Sequence, residues 1–584
     1  MKNVFGLFWQ GFSYICMIAA NCSLTGGGGV DGAIHRTGPF AGSLKATTAS
    51  EKSSSSSLMK GRFMKTKRLI ISAILGVAFR RTRRMKHILL TWHFLFFLVL
   101  AGYSQAPIPP PVKNGFLKLT SHAELSAYVS ATGAASDLIS LEVIGRSVQG
   151  RELYAIGFSS GKFGKDASKI RVLIFAQQHG NEQSGKEGAL LLTAELLKPE
   201  RRHLFDRIDL ALIPQVNPDG AEVNRRRNAN GLDLNRNHVI LTEPETRSLH
   251  GFFDRYLFEV TMDVHEYSPY GEEWARYGYR KNSEVTVGSL TNINIPDDIR
   301  NLSDSGYLPF TMKYLRDRGY SSFTYCPGGP PDTAYIRHST FDVNDGRQSF
   351  GIENTFSFIQ EGMNGKDDSV ANLRRRAEGQ MTGMLALLEY VFGNKERIQH
   401  LVAAEREKLI SPADGQMISI QSEHVPDGSV LVMPLLSLST GNDTVVHVED
   451  YRPMVRSLYD VKKPAGYLVP ADCTLLLNWV SGHGFRQKIL KAVTGLRIEQ
   501  YGILSVDSID FEGDRVVNPV IETKEVEKLP EGRDFIYIPV NQLKGNLLVL
   551  ALEPKSMLGL ATYRQFARLL KPGTSWPVLK VNKP

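Results

Sequence analysis

RVLIFAQQHGNEQ, residues 171–183, is the stretch whose reading decides the fold. Val172, Leu173, Ile174 and Phe175 form an unbroken apolar run that reads as a buried strand, and the polar residues behind it read as a loop at its end. Loops at the carboxyl ends of strands are where α/β proteins put their chemistry, because they are held rigidly yet stay open to solvent. His179 and Glu182, three residues apart in such a loop, are therefore candidate metal ligands. One imidazole and one carboxylate do not make a site, and the same pair equally describes two solvated loop residues. The remaining parts must come from elsewhere in the chain.

Outward from this stretch, helices alternate with apolar strands. A helical periodicity over 120–132 precedes strands at 139–144 and 153–158, and a helix at 186–197 leads to a strand at 208–213. A helix over 243–256, a strand at 259–264, a helix at 309–318, a strand at 349–353 and a helix from 368 to 391 follow. This alternation predicts an α/β fold, a mixed twisted sheet flanked by helices. Beyond about residue 395 a helical stretch runs to 410. Short β-type segments at 430–435, 444–448, 466–469, 498–504 and 534–539 surround a helix at 474–481. The expectation is a catalytic domain over 112–395 and a separate, smaller mixed α/β domain over 411–584, of unknown role.

The charge of the chain sits in its leader. Residues 1–106 hold 14 Lys and Arg against 2 Asp and Glu, leaving 55 basic against 58 acidic residues in the remainder, a net of −3. The part expected to fold gives no reason to expect nucleic acid. Met85, Lys86 and His87 precede an apolar run over 88–100 and the small residues Gly102, Ser104 and Ala106, the pattern of a secretory signal peptide over 85–106. Residues 1–84, with a Ser-rich tract, a Gly run and a basic cluster, read as a non-folded extension or a mis-assigned start; an N-terminal membrane anchor is the alternative. The expected product is exported, periplasmic or extracellular, and meets the membrane only transiently through this leader. Of four cysteines, two lie in the leader, and Cys326 and Cys473 form no disulfide framework.

The strand at 259–264 runs into Asp263-Val264-His265, a second histidine at a second strand end. Two His and one Glu from separate loops is the ligand set of a catalytic zinc whose fourth position is left for water. Between them lies NRRRNANGLDLNRN, residues 224–237, which taken alone describes a solvated basic surface. With GRSVQGRE, HGNE, VNPDG, RNANGLDLNRN, DVH and GIEN in this order over roughly 118–395, the chain resembles the zinc metallocarboxypeptidases of the carboxypeptidase A/B type. The C-terminal RPMVRSLYD and GYLVPA segments resemble the extra domain of some bacterial exported members.

The resemblance implies one zinc ion held by His179, Glu182 and His265, with Asp233 orienting His179. It implies Asn235 and Arg236 as the grip on a substrate's terminal carboxylate, since a guanidinium meets two carboxylate oxygens at once. Arg226 corresponds to the oxyanion-stabilising arginine, with Arg225 and Arg227 one residue away on either side. Glu353, in FGIEN, corresponds to the general base at a strand end, and Tyr325, in YCPGGPPD, to a mobile tyrosine ahead of a glycine-rich turn. The implied activity is hydrolysis of the C-terminal peptide bond of peptides with a free carboxylate, by a monomer. Two rivals stand beside it: hydrolysis of murein peptides next to diaminopimelate, and a non-catalytic peptide-binding protein on a peptidase fold.

Overall fold

A computed structural model describes residues 107–365, 370–412, 415–490, 496–511, 513–529 and 532–582. The leader, with its signal-peptide pattern and the extension before it, lies outside the described residues. In chain order the first strands are β1 Ile139–Arg146, β2 Glu152–Phe158, β3 Ile170–Ala176, β4 Ile208–Ile213, β5 Val260–Tyr267 and β6 Tyr279–Lys281. They continue with β7 Val285–Gly288, β8 Ser322–Thr324, β9 Ile336–Arg337 and β10 Phe356–Met363. Eight of them form one mixed sheet in the order β1-β2-β4-β3-β5-β10-β7-β8. The centre is parallel, β4 with β3, β3 with β5 and β5 with β10, and the edge at β1 and β2 is antiparallel.

The unbroken hydrophobicity of β3 has a simple cause. Val172, Ile174 and Ala176 face one core cluster and Leu173 and Phe175 face another, because successive side chains alternate across a strand. Helix α1 (His122–Ala135) starts on a capping box, Ser121 accepting from the Glu124 backbone while the Glu124 side chain accepts from Ser121. Helix α2 (Gln183–Leu196) packs beside the long helix α6 (Leu373–Ile410) on the first face; α3 (Pro244–Tyr256) and the short α5 (Gly346–Gly351) cover the second. Helix α4 (Leu308–Arg316) falls where its periodicity places it.

The strand expected at 349–353 is absent. Asp345 caps the Gln348 backbone nitrogen and starts α5, and Asn354 turns the chain with φ 56° into β10. A short apolar run cannot by itself separate a buried helix turn from a strand, and here the aspartate cap and the following asparagine select the helix.

One helix crosses the expected boundary near 395. Helix α6 (Leu373–Ile410) runs through it as one element of 38 residues with a kink at Asn394. The residues that follow form β11 Met417–Val425, β12 Leu431–Ser437, β13 Asp443–Val448, β14 Tyr451–Arg452 and β15 Met454–Lys462, then a six-stranded sheet between Lys488 and Asn582 that also holds Gly466–Pro470. They pack against the strands and loops that precede residue 395, within one compact unit. Strand β12 pairs with β6, and β14 pairs with β9. Asn294 exchanges two hydrogen bonds of 2.8 Å with the Ser419 backbone, and Trp479 and His483 both reach the Val239 carbonyl. Edge strands offer unpaired backbone groups to any partner, a property invisible to composition.

Candidate active site

The loop after β3 is held by its neighbours. Gln177 adopts φ 59°, the Gly180 nitrogen donates to the Arg226 carbonyl at 3.1 Å, and Asn217 Nδ2 donates to the carbonyls of Gln178 and Arg226. Only glycine fits at 180, where a Cβ would stand 2.2 Å from the Gly220 carbonyl carbon and 2.5 Å from the Arg225 oxygen. The NPDG turn therefore clamps the HGNE loop.

His179, Glu182 and His265 come together with their potential ligand atoms all within 4.8 Å of one another, and all three are buried. His179 Nδ1 lies 2.7 Å from Glu182 Oε1 and His265 Nδ1 lies 2.8 Å from Glu182 Oε2; the two Nδ1 atoms are 3.2 Å apart. The opposite ring nitrogens face carboxylates, His179 Nε2 at 3.1 Å from Asp233 and His265 Nε2 at 2.9 Å from Asp263. A carboxylate behind each imidazole fixes its orientation and raises its basicity. Two Nδ1 atoms and a carboxylate pointing at one place, each ring backed by an acid, is a donor set that fits zinc.

Electrostatics agree with the geometry. Burial works against charge at Glu182, but His179 and His265 outweigh it and hold the carboxyl below the usual range. Asp233 is likewise held low, against its burial, by His179, Arg226 and Arg236. His265 is raised well above its ordinary value because Asp263 and Glu182 outweigh desolvation. So much negative potential around two imidazoles is the environment in which a cation is stable.

Strand β5 supplies His265 and Asp263 together, since residues two apart share a face. Sequence reasoning used this aspartate only as part of a motif; the period-two spacing was the available signal. His265 is anchored from behind by Gln380 Nε2, which donates to its carbonyl at 2.7 Å. The neighbouring Glu266 is pinned by Arg376 and by the Ser184 hydroxyl.

Of the three consecutive arginines, Arg226 is the one at the site. Its Nε donates to Asp233 Oδ2 at 3.0 Å, and NH1 stands 3.5 Å from Glu182. Arg227 instead donates to the Gly231 carbonyl. Arg236 closes a short turn, Leu234–Arg236, capped by Asp233, and lines the cavity. Burial opposes its charge, but Asp342, Asp233 and Asp345 more than offset it. Asn235 is spoken for: its Oδ1 accepts from Gln178 and the Gly346 backbone, and its Nδ2 stands 3.3 Å from His265 Nε2. Tyr325 follows β8 and lines the same cavity, with the Arg347 guanidinium 5.8 Å from its ring and burial raising its phenol. The turn behind it places Gly328 and Gly329 at φ 94° and 79°, and the strand after it, β9, is paired by β14.

Glu353 does not join the site. It lies before β10, its carbonyl accepts from Arg406, and the charges around it are Lys544, Asp254 and Arg406. Strand β10 runs parallel to β5 with Phe356 opposite Val260 and Glu361 opposite His265. The rise from Phe356 to Glu361 is roughly 16 Å, so Glu353 belongs to the wrong end of the sheet. On the strand that the sequence reading omitted, Glu361 is the carboxylate that lines the cavity opposite His265. Its signal was present: Phe356 and Phe358 alternate toward the core and a glutamate follows at the carboxyl end. Burial pushes Glu361 up to about 7, with His265 and His179 pulling against it.

The cavity beside the trio measures about 420 Å³. It takes in Arg236, Tyr325 and Glu361, and a wall of Trp274, Phe323, Met433 and Pro434, the last two contributed by β12.

Residues 125–306 match the family model described as zinc carboxypeptidase. That span holds the metal-ligand trio, Asp233 and Arg236, and ends before Tyr325 and Glu361. The chain is 23% identical over 461 residues to Carboxypeptidase 2 of Trichophyton tonsurans, covering 75% of this chain and 81% of that protein. It is 28% identical over 305 residues to the carboxypeptidase N catalytic chain of Rattus norvegicus, covering 44% of this chain and 65% of that one. Among solved structures it is similar to a metallo-carboxypeptidase from Burkholderia cenocepacia, with TM-score 0.37 and 18% identity over 47% of this chain and 70% of that one. A metallo-carboxypeptidase from Pseudomonas aeruginosa in complex with (2-guanidinoethylmercapto)succinic acid matches at TM-score 0.37 and 21% identity, over 47% and 69% of the two chains.

Proposed function

For a chain that fits the carboxypeptidase A/B-like family of zinc carboxypeptidases, we propose an exported enzyme that removes the C-terminal residue of peptides, with Glu361 as its general base. The observation that carries this reading is the register: Glu361 lies directly opposite His265 on the neighbouring parallel strand, beside the His179–Glu182–His265 trio. Export rests on the pattern of residues 85–106.

His179, Glu182 and His265 would hold one zinc ion, which would supply Lewis acidity and lower the pKa of water. Asp233 and Asp263 keep each histidine's Nδ1 turned inward. Arg236 holds the substrate's terminal carboxylate, and Tyr325 stands over the same cavity to exclude water. Glu361, buried and pushed up to about 7, accepts a proton from the attacking water at its carboxylate and returns it to the leaving amine. Arg226, within reach of the ligand carboxylate, faces the charge that develops on the carbonyl oxygen.

Mass spectrometry of products from a mixed peptide library, with blocked dipeptides and muropeptides as separate substrates, tests the reading. Loss of single C-terminal residues, abolished by a chelator and restored by zinc, is the expected result. Turnover indifferent to chelation sinks the zinc mechanism, and cleavage confined to muropeptides moves the substrate class. Cell fractionation with amino-terminal sequencing checks export; a protein retained in the cytoplasm with residues 85–106 still attached contradicts it.

A further inference from the structure

A third cation stands in the wall of the cavity, and neither metal binding nor carboxylate recognition uses it. Lys281 ends β6 and its side chain lines the cavity that holds Arg236 and Glu361. Its ammonium donates to the Cys326 carbonyl at 2.9 Å and lies 5.1 Å from the centre of the Trp274 ring. Among the described residues no carboxylate oxygen comes within 4.0 Å of it. An ammonium carries three donors, and one carbonyl satisfies one of them. Burial accordingly pulls its pKa down. A half-buried charge with one hydrogen-bond acceptor and no carboxylate beside it is poorly compensated unless a ligand brings the partner.

The position of this lysine is fixed by structure from far along the chain. Strand β12 sets Leu435 opposite Lys281 and Leu436 opposite Arg280. The same strand brings Met433 and Pro434 to the cavity wall beside Phe323, and Ile359 continues that wall toward Glu361. Asp342 and Asp345 also line the cavity but serve Arg236 and Arg347, so the side of the recess formed by Trp274, Phe323, Ile359, Met433 and Pro434 is apolar with the Lys281 ammonium beside it, a shape that suits a short aliphatic stem ending in an anion. An aliphatic terminal side chain would leave the ammonium uncompensated, and a basic one would be repelled by it.

Resting on the carboxypeptidase reading, in which Arg236 takes the terminal carboxylate, we infer that the side-chain subsite selects an acidic C-terminal residue, glutamate or aspartate, through an ion pair with Lys281. Lys281 thereby acts as the specificity determinant. The competing role, support of the Glu361 charge from a distance, makes a different prediction for the same variants.

The test uses the full chain loaded with zinc and peptides identical except for a terminal Glu, Gln, Leu or Lys. Wild-type kcat/KM should favour Glu over its isostere Gln by ~10-fold to ~100-fold, the range of a charge-assisted hydrogen bond. Lys281→Met should bring that ratio close to one, with the change carried by KM of the Glu peptide, and Lys281→Glu should shift preference toward terminal Lys. A wild-type enzyme that cuts Gln or Leu peptides as well as Glu peptides overturns the proposal without any variant being made. Equal losses on Glu and Gln peptides in Lys281→Met also overturn it, and assign the lysine to Glu361 or to folding. If the wild type releases no terminal residue from any peptide, the carboxypeptidase reading itself fails.

Discussion

Replacing Glu361 and Glu353 by glutamine, one at a time, separates the two carboxylates that sequence and structure nominate as the base. Glu361 stands level with His265 across a parallel pair, where strands lie about 4.8 Å apart. Glu353 lies beyond the opposite end of the same strand. A positioned general base contributes typically ~10²-fold to ~10⁴-fold, which is about 3 to 5 kcal/mol of barrier. Glu361→Gln should therefore lose kcat by that factor with zinc content unchanged, because the ligand trio is untouched. Glu353→Gln should keep kcat/KM within about twofold, as a substitution remote from the site. The wild-type profile adds a sign check. Because the proton must go to an ionised Glu361, kcat/KM should rise with pH through an apparent pKa at or below the value near 7 set by burial, a bound cation drawing it down. Stopped-assay kinetics on one peptide, with metal analysis of each variant, reads all of this. Full activity in Glu361→Gln, or a matching loss in Glu353→Gln, refutes the assignment.

Three further outcomes follow from the same geometry. Asp233→Asn and Asp263→Asn should each weaken zinc affinity ~10-fold to ~100-fold, read by competition with a chromogenic chelator; unchanged affinity in both would remove the carboxylates from the site. Glu353 carries a different consequence: burial pushes its carboxyl up to about 7, with Asp254 raising it and Lys544 lowering it. A raised carboxyl favours the folded state below the unfolded value near ~4.3 and loses that contribution as pH climbs to about 7. Glu353→Gln should thus gain up to about 3 kcal/mol at pH 8 and little near pH 4, measured by denaturant unfolding; a gain independent of pH contradicts the burial argument. Finally, a chain ending at residue 410 loses Met433, Leu435, Val448 and Tyr451 from their shared cluster with Cys326 and Ile336. At ~1.5–3 kcal/mol for each large side chain, that loss rivals the whole stability of a domain, about 5–15 kcal/mol. The truncated chain should be insoluble, and a soluble, active one would show the C-terminal segment to be dispensable.

How far the sequence reaches is clearest at particular residues. Val172 to Phe175 declare a doubly covered strand because every one of them is apolar, and His179 and Glu182 declare a site because they stand at its end. The Asp233 to Arg236 segment is legible for a similar reason: its turn is local, and Asp233 both caps it and meets His179. Glu353 reads as a strand-end residue because FGIEN is apolar enough for a strand. The helix cap at Asp345 and the turn at Asn354 decide otherwise, and they shift the following strand so that Glu361 reaches the cavity. Asp263 was legible only to a reader applying the period of two behind His265.

What the amino-acid order determined was what neighbours along the chain set: the buried strand at Val172 to Phe175, the HGNE loop behind it, the Asp233 turn and most of the helices. What only the tertiary structure decided was which residues meet across long separations. The pairing of β12 with β6 joins residues more than 150 positions apart, and no local pattern encodes it, because an exposed strand edge accepts any backbone of suitable shape. That pairing makes the C-terminal segment a wall of the cavity and holds Lys281 within it. The chemistry of the site was thus written near HGNE, while the shape of the recess that chooses its substrate was settled by a strand arriving from the far half of the chain.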